Sequence, residues 1–111
     1  MDKYGLVGKN ISYSFSKSYF EKKFAAEEIH ARYQNFDLPS LADFREIVAH
    51  EKNLKGLNVT IPYKQAILPF LDQLDEQAAK IGAVNTIQIK NKKLVGYNTD
   101  CFGFMKSLFP L

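Results

Sequence analysis

The chain has 111 residues, 46% of them hydrophobic and 24% charged, with a formal net charge of +3 and a single cysteine; this is the make-up of one globular domain and excludes a disordered chain. The fifteen Lys and Arg are scattered, and the densest groups, Lys22-Lys23 and the stretch from Lys90 to Lys93, are too small for a nucleic-acid footprint. Cys101 alone can form neither an internal disulfide nor a metal cluster, and no apolar run approaches the roughly 20 residues that span a bilayer, so the expectation is a soluble cytoplasmic domain without a metal, nucleic-acid or membrane partner.

In chain order, Tyr4 to Val7 reads as a short strand ended by Gly8. A helix is expected from about Lys17 to His30, with Phe20, Phe24 and Ile29 on one stripe. Ser18 and Glu21 have the spacing of a capping box at its start. Residues 31–38 form the second expected strand. Ser40 and Asp43 then introduce a helix whose Phe44, Ile47 and Val48 follow the i, i+3, i+4 rule. In "GLNVTIP", Leu57, Val59 and Ile61 alternate with Asn58 and Thr60, the pattern of a strand with one polar face. Pro62 ends it and suits the first position of a short helix. Pro69 breaks that helix, and a further helical stretch reaches about Lys80. "AVNTIQI" and "KLVGYN", joined by a turn at Asn91-Lys92, read as an antiparallel hairpin. Thr99 or Asp100 caps a last helix that runs to Phe109-Pro110-Leu111.

This alternation predicts an α/β fold: three layers, a mostly parallel sheet with one antiparallel strand, and helices on both faces. In such sheets ligands sit outside the carboxyl ends of the strands. Ser14, Ser16, Thr60, Lys64, Asn85 and the stretch Asn98 to Asp100 all fall at those ends. Together they offer hydroxyls, amides, an ammonium and a carboxylate, a set suited to a small polyhydroxylated ligand.

Two readings of the serines stay open. Ser14 and Ser16 can cap the helix or satisfy loop backbone, or they can complete an anion site at the helix start. Lys64 sits in a first helical turn, an unfavourable place for a cation, so it is either a solvated surface lysine or a functional one. Asp100 is either an N-cap or, facing Lys64, one half of an acid–base pair able to take a proton from an alcohol. Which of the two holds the proton stays open. Cys101 is expected in the core, His30 and His50 on the surface, and Tyr63 and Tyr97 either in the core or as walls of the pocket.

Four blocks in order, "SYSFS", "NVTIPYK", "GAVNT" and "GYNTDCFGF", resemble the substrate-binding domain of the shikimate dehydrogenase family. The resemblance covers residues 4 to 108. Each block alone is a weak signal; the four at matching order and spacing are specific. It implies NADP-dependent, reversible reduction of 3-dehydroshikimate to shikimate in aromatic amino-acid biosynthesis. By position, Ser14 and Ser16 resemble the pair that holds the shikimate carboxylate. Thr60, Asn85 and Asp100 resemble the residues that bond the ring hydroxyls, with Asn58 supporting from the same strand. Lys64 matches the catalytic lysine, paired with Asp100. Glu76 matches a position on the cofactor side.

The chain departs from the family pattern in three places. Tyr13 stands where a His is usual, Lys17 where a Pro is usual, and Cys101 where a Gly is common. Its six glycines contain no G-x-G-x-x-G, and no βαβ unit follows Asp100. The NADP-binding Rossmann domain is therefore expected to be absent, and these 111 residues are expected to bind shikimate without turning it over. A quinate-preferring dehydrogenase domain and a non-catalytic module that binds a hydroxylated acid are the alternatives.

Overall fold

The computed structural model describes residues 2–11 and 16–99, with Ser16 described in its backbone only. Ser12, Ser14, Asp100, Cys101 and the expected last helix lie outside the described residues. Six strands form one sheet: β1 (Asp2–Gly8), β2 (Ala31–Asp37), β3 (Leu54–Val59), β4 (Gln73–Leu74), β5 (Thr86–Lys90) and β6 (Lys93–Tyr97), in spatial order β2-β1-β3-β5-β6-β4. β1 pairs in parallel with β2 and β3, and β6 in parallel with β4, while β5 runs antiparallel to both its neighbours. The sheet is thus mostly parallel with one reversed strand, as its sequence pattern predicts. The reversal is imposed locally: Asn91 and Lys92 both adopt positive φ, 52° and 65°, the geometry of a two-residue hairpin turn whose twist matches that of the strands it joins.

The two sheet faces carry separate cores. On one, Phe20 and Phe24 of α1 (Ser16–Ala26) pack against Tyr4, Leu6, Ala31 and Tyr33. On the other, α2 (Phe44–His50), α3 (Tyr63–Ala66) and α4 (Glu76–Ile81) bring Phe44, Tyr63 and Ala78 onto Val7, Phe36, Leu57, Val59 and Ile87. Period-two alternation along β1 and β3 feeds both: Leu6 and Asn58 face α1, Val7, Leu57 and Val59 the opposite layer.

Several local expectations need correction. α1 stops at Ala26 instead of reaching His30, because Glu28 turns into the left-handed region (φ 57°) and the Ile29 N–H returns to the Phe24 carbonyl at 2.8 Å. This is a Schellman ending made without glycine, so the sequence gives no sign of it. α1 begins at Ser16, which places Ser18 inside the helix and removes the capping box with Glu21. Asp43 precedes α2 but makes no side-chain cap bond. β3 ends at Val59, and Ile61, 73% exposed, has left the alternation. The stretch after Pro69 is not one helix: a 3-10 turn (Leu68–Phe70) leads to β4, and α4 starts afresh with the Asp75 carboxylate accepting from the Gln77 N–H at 3.1 Å.

Tyr33 shows how the α1 layer is fastened. Its ring is 1% exposed and stacks on Phe20 at 4.7 Å between centroids, and its hydroxyl accepts from Asn58 Nδ2 at 2.8 Å. Burial, partly offset by that hydrogen bond, pushes its pKa from 10.0 up to about 12. The unfolded chain therefore loses this proton first as pH rises, and the folded state is penalised between those two values. Stability should be constant below pH 10 on this account and fall by roughly 3 kcal/mol between pH 10 and 12. Chemical denaturation at stepped pH checks this: Tyr33→Phe should start less stable at pH 8 and lose less than the parent over that window.

Candidate functional site

The carboxyl ends of β1, β3 and β6 and the start of β5 lie along one edge of the sheet. Three loops meet there, and backbone hydrogen bonds hold them together. The Thr60 N–H donates to the Val7 carbonyl (2.9 Å), and the Thr60 carbonyl accepts from the Tyr63 N–H (3.1 Å), folding the chain from β3 directly into α3. The Lys64 carbonyl accepts from the Val84 N–H at 2.8 Å. Asn85 then extends the ladder beyond the strands: its carbonyl accepts from the Val59 N–H (2.8 Å), and its N–H donates to the Tyr97 carbonyl (3.0 Å). Asn85, distant in sequence, is brought in this way to the edge that carries Thr60 and Lys64. Gly8 permits the approach, since a Cβ there would fall 2.5 Å from Thr60 Cγ2 and 2.7 Å from Ile11 Cγ2.

The Asn85 side chain is already occupied. Its Nδ2 donates to the Thr99 carbonyl (2.8 Å), and its Oδ1 accepts from the Thr99 N–H (2.9 Å). The Thr86 and Thr99 hydroxyls lie 3.0 and 3.3 Å from the same oxygen. One amide thus imitates a strand neighbour and fixes the residue immediately before Asp100. Its oxygen is fully used, so only the second N–H of Nδ2 is left for a ligand. Asn98 Nδ2 adds a bond to the Ala83 carbonyl at 3.1 Å, locking the same stretch against the loop after α4.

Lys64 is exposed in α3. The two ion pairs among the described residues are Lys3–Glu51 and Lys80–Glu76, so the Lys64 ammonium has no carboxylate partner there. Asn58 is half-buried beside Thr86, its neighbour in the β3–β5 register. Tyr63 is not a pocket wall: it is buried in the opposite core with its hydroxyl donating to the Leu38 carbonyl. Tyr97 remains on the site's face, half-buried, its hydroxyl donating to Gln88 Oε1 at 3.2 Å. His30 and His50 are exposed, as expected.

No group of three or more His, Cys, Asp or Glu among the described residues could hold a metal, and no helix there is long and apolar enough to cross a membrane. Nor do the described residues fit NADP. Glu76 forms an exposed i, i+4 pair with Lys80 at 3.5 Å on a helix of six residues, and no Gly-rich turn joins a strand to a helix.

Residues 6–87 match the family model described as the shikimate dehydrogenase substrate binding domain. The chain belongs to this family. A shikimate dehydrogenase (NADP(+)) of Clostridium botulinum is 46% identical over 94% of this chain and 41% of its own length. Among solved structures, shikimate 5-dehydrogenase from Listeria monocytogenes, in complex with shikimate and NAD, superposes with a TM-score of 0.80 at 30% identity, over 99% of this chain and 38% of that one. The 5-ketofructose reductase of a Gluconobacter strain superposes with a TM-score of 0.82 at 32% identity, over 99% of this chain and 40% of that one. The chain thus spans about 40% of the length of the relatives it matches. The family shares this fold.

Proposed function

We propose that this chain is the substrate-holding half of an NADP-dependent shikimate dehydrogenase, which interconverts 3-dehydroshikimate and shikimate. The observation that carries this reading is the meeting of Thr60, Lys64 and Asn85 at one sheet edge, with Asn85 clamping the residue before Asp100. In this assignment Ser14 and Ser16 hold the carboxylate, and Thr60, Asn85 and Asp100 bond the ring hydroxyls. Lys64 is a well-placed proton carrier, because its ammonium is exposed and unpaired among the described residues. In the reducing direction the Lys64 ammonium gives a proton to the ketone oxygen; in the oxidising direction Lys64, as the neutral amine and aided by Asp100, takes the proton of the reacting hydroxyl. Hydride exchange is the chemistry of NADP, carried by residues other than these.

The expected outcome for this chain alone is weak shikimate binding and no turnover. Calorimetric titration with shikimate, with quinate and with a neutral ketose separates the readings. Shikimate binding above the other two supports the assignment, quinate preference supports the related dehydrogenase, and heat from the ketose alone removes the carboxylate role of the serines. Reduction of NADP by the 111-residue chain would contradict the division of labour.

A further inference from the structure

Asn58 stands where two surfaces meet. On the α1 face of the sheet, Leu6, Asn58, Thr86 and Tyr97 lie in one register row across β1, β3, β5 and β6. Towards β1 and β2 the face is apolar and covered by α1. Towards β5 it becomes polar, with Thr86, 1% exposed, bonded to Asn85. A half-buried carboxamide on a central strand costs stability unless it is satisfied.

Half of it is satisfied by Tyr33. Asn58 Nδ2 donates to the Tyr33 hydroxyl at 2.8 Å. That hydroxyl cannot drift, because its ring is buried and stacked on Phe20 of α1 at 4.7 Å with 16° between the planes. The two ends of an amide point apart, so with Nδ2 held by the Tyr33 hydroxyl, Oδ1 faces away from it. Among the described residues Oδ1 has no hydrogen-bond partner, yet it is not among the fully buried orphan atoms; it is an acceptor within reach of solvent.

We propose that Tyr33 is a positioning residue that sets the Asn58 amide so that its Oδ1 accepts a hydrogen bond from a hydroxyl of the bound substrate. The proposal rests on the functional reading above and deepens it. Tyr33 itself stays out of contact with the ligand. It links α1, through the Phe20 stack, to Asn58 of β3. The ligand class is therefore one that carries a hydroxyl able to donate to Asn58.

The test uses the 15N-labelled chain and its Tyr33→Phe, Asn58→Ala and doubly substituted forms. Tyr33→Phe keeps the stacked ring and removes only the hydroxyl. It should shift the Asn58 side-chain NH2 resonances in the free protein and weaken shikimate binding about 5- to 10-fold, the worth of one hydrogen bond. Asn58→Ala should weaken it by at least as much, and the double variant should bind no worse than Asn58→Ala, because Tyr33 acts only through Asn58. Unmoved amide resonances, unchanged affinity in Tyr33→Phe, or losses that multiply in the double variant would overturn the proposal. If the parent chain binds no shikimate, the functional reading fails, while the amide resonances of Tyr33→Phe still decide whether Tyr33 positions Asn58.

Discussion

In an enzyme joining this chain to a nucleotide-binding domain, Lys64→Ala is expected to lower kcat by about 10²- to 10⁴-fold, the usual worth of a placed general acid or base. The KM for shikimate should change little, because an exposed ammonium on a four-residue helix adds little to ground-state binding compared with the five residues assigned to the carboxylate and ring hydroxyls. A loss confined to kcat marks a group that acts in the transition state. Equal losses in kcat and in affinity would make Lys64 a binding residue only. The local geometry supports the first outcome. Lys64 is exposed, so removing its charge disturbs no packing, and its backbone carbonyl, which holds Val84 at 2.8 Å, is kept in the variant. The fold should therefore survive and the loss should be chemical.

Asn85→Ala should act differently, on stability and binding together. The substitution strips partners from the Thr99 N–H and carbonyl in one step and takes one acceptor from the buried Thr86 hydroxyl. Orphaned polar groups of this kind cost about 1–3 kcal/mol each when water cannot reach them. Because the site is half-buried, a total of about 2–3 kcal/mol is the reasonable expectation, read from denaturant midpoints at an unchanged m-value. Shikimate affinity should fall more than tenfold, since the residue before Asp100 loses its clamp as well as its one available N–H donor. Asn85→Asp separates the two effects. It keeps an acceptor for the Thr99 N–H and the Thr86 hydroxyl but loses the donor to the Thr99 carbonyl, so it should recover part of the stability and little of the affinity. An Asn85→Ala variant as stable as the parent would show that the clamp contributes nothing to the fold.

The contrast between these two residues explains how far the sequence could be read. Lys64 stands out as a candidate because it breaks a local rule, a cation in a first helical turn beside Pro62, and such conflicts are visible without coordinates. Asn85 was legible as a polar residue at the site, but its main partners were not, because the Thr99 backbone is fourteen residues away and becomes a neighbour only once β5 and β6 pair. Tyr63 was placed ambiguously for a related reason: one residue from Lys64 on a short helix, it faces the opposite layer, and adjacency in sequence says little about facing. The sheet itself was legible where the pattern is long, as in the alternation of β3 and the Asn91-Lys92 turn of the hairpin. It was not legible in β4, whose two residues are too few to show a period, nor at the end of α1, where Glu28 takes a conformation usually left to glycine.

The positively charged cleft at the amino end of β3 provides the internal control for the account. It encloses about 840 Å³, with Arg45, Lys52, Lys55 and Lys92 around Leu54 and Leu94, at the opposite end of the strand from Thr60. An acid attracted only by charge would choose this cleft, because it gathers four cations against Glu51 and Asp72. The most direct measurement is therefore an amide-resonance titration of the 15N-labelled chain with shikimate. Shifts are expected to concentrate at Thr60, Lys64, Asn85, Thr86 and Thr99; shifts confined to the cleft residues, or none at millimolar shikimate, would contradict a substrate site at this edge.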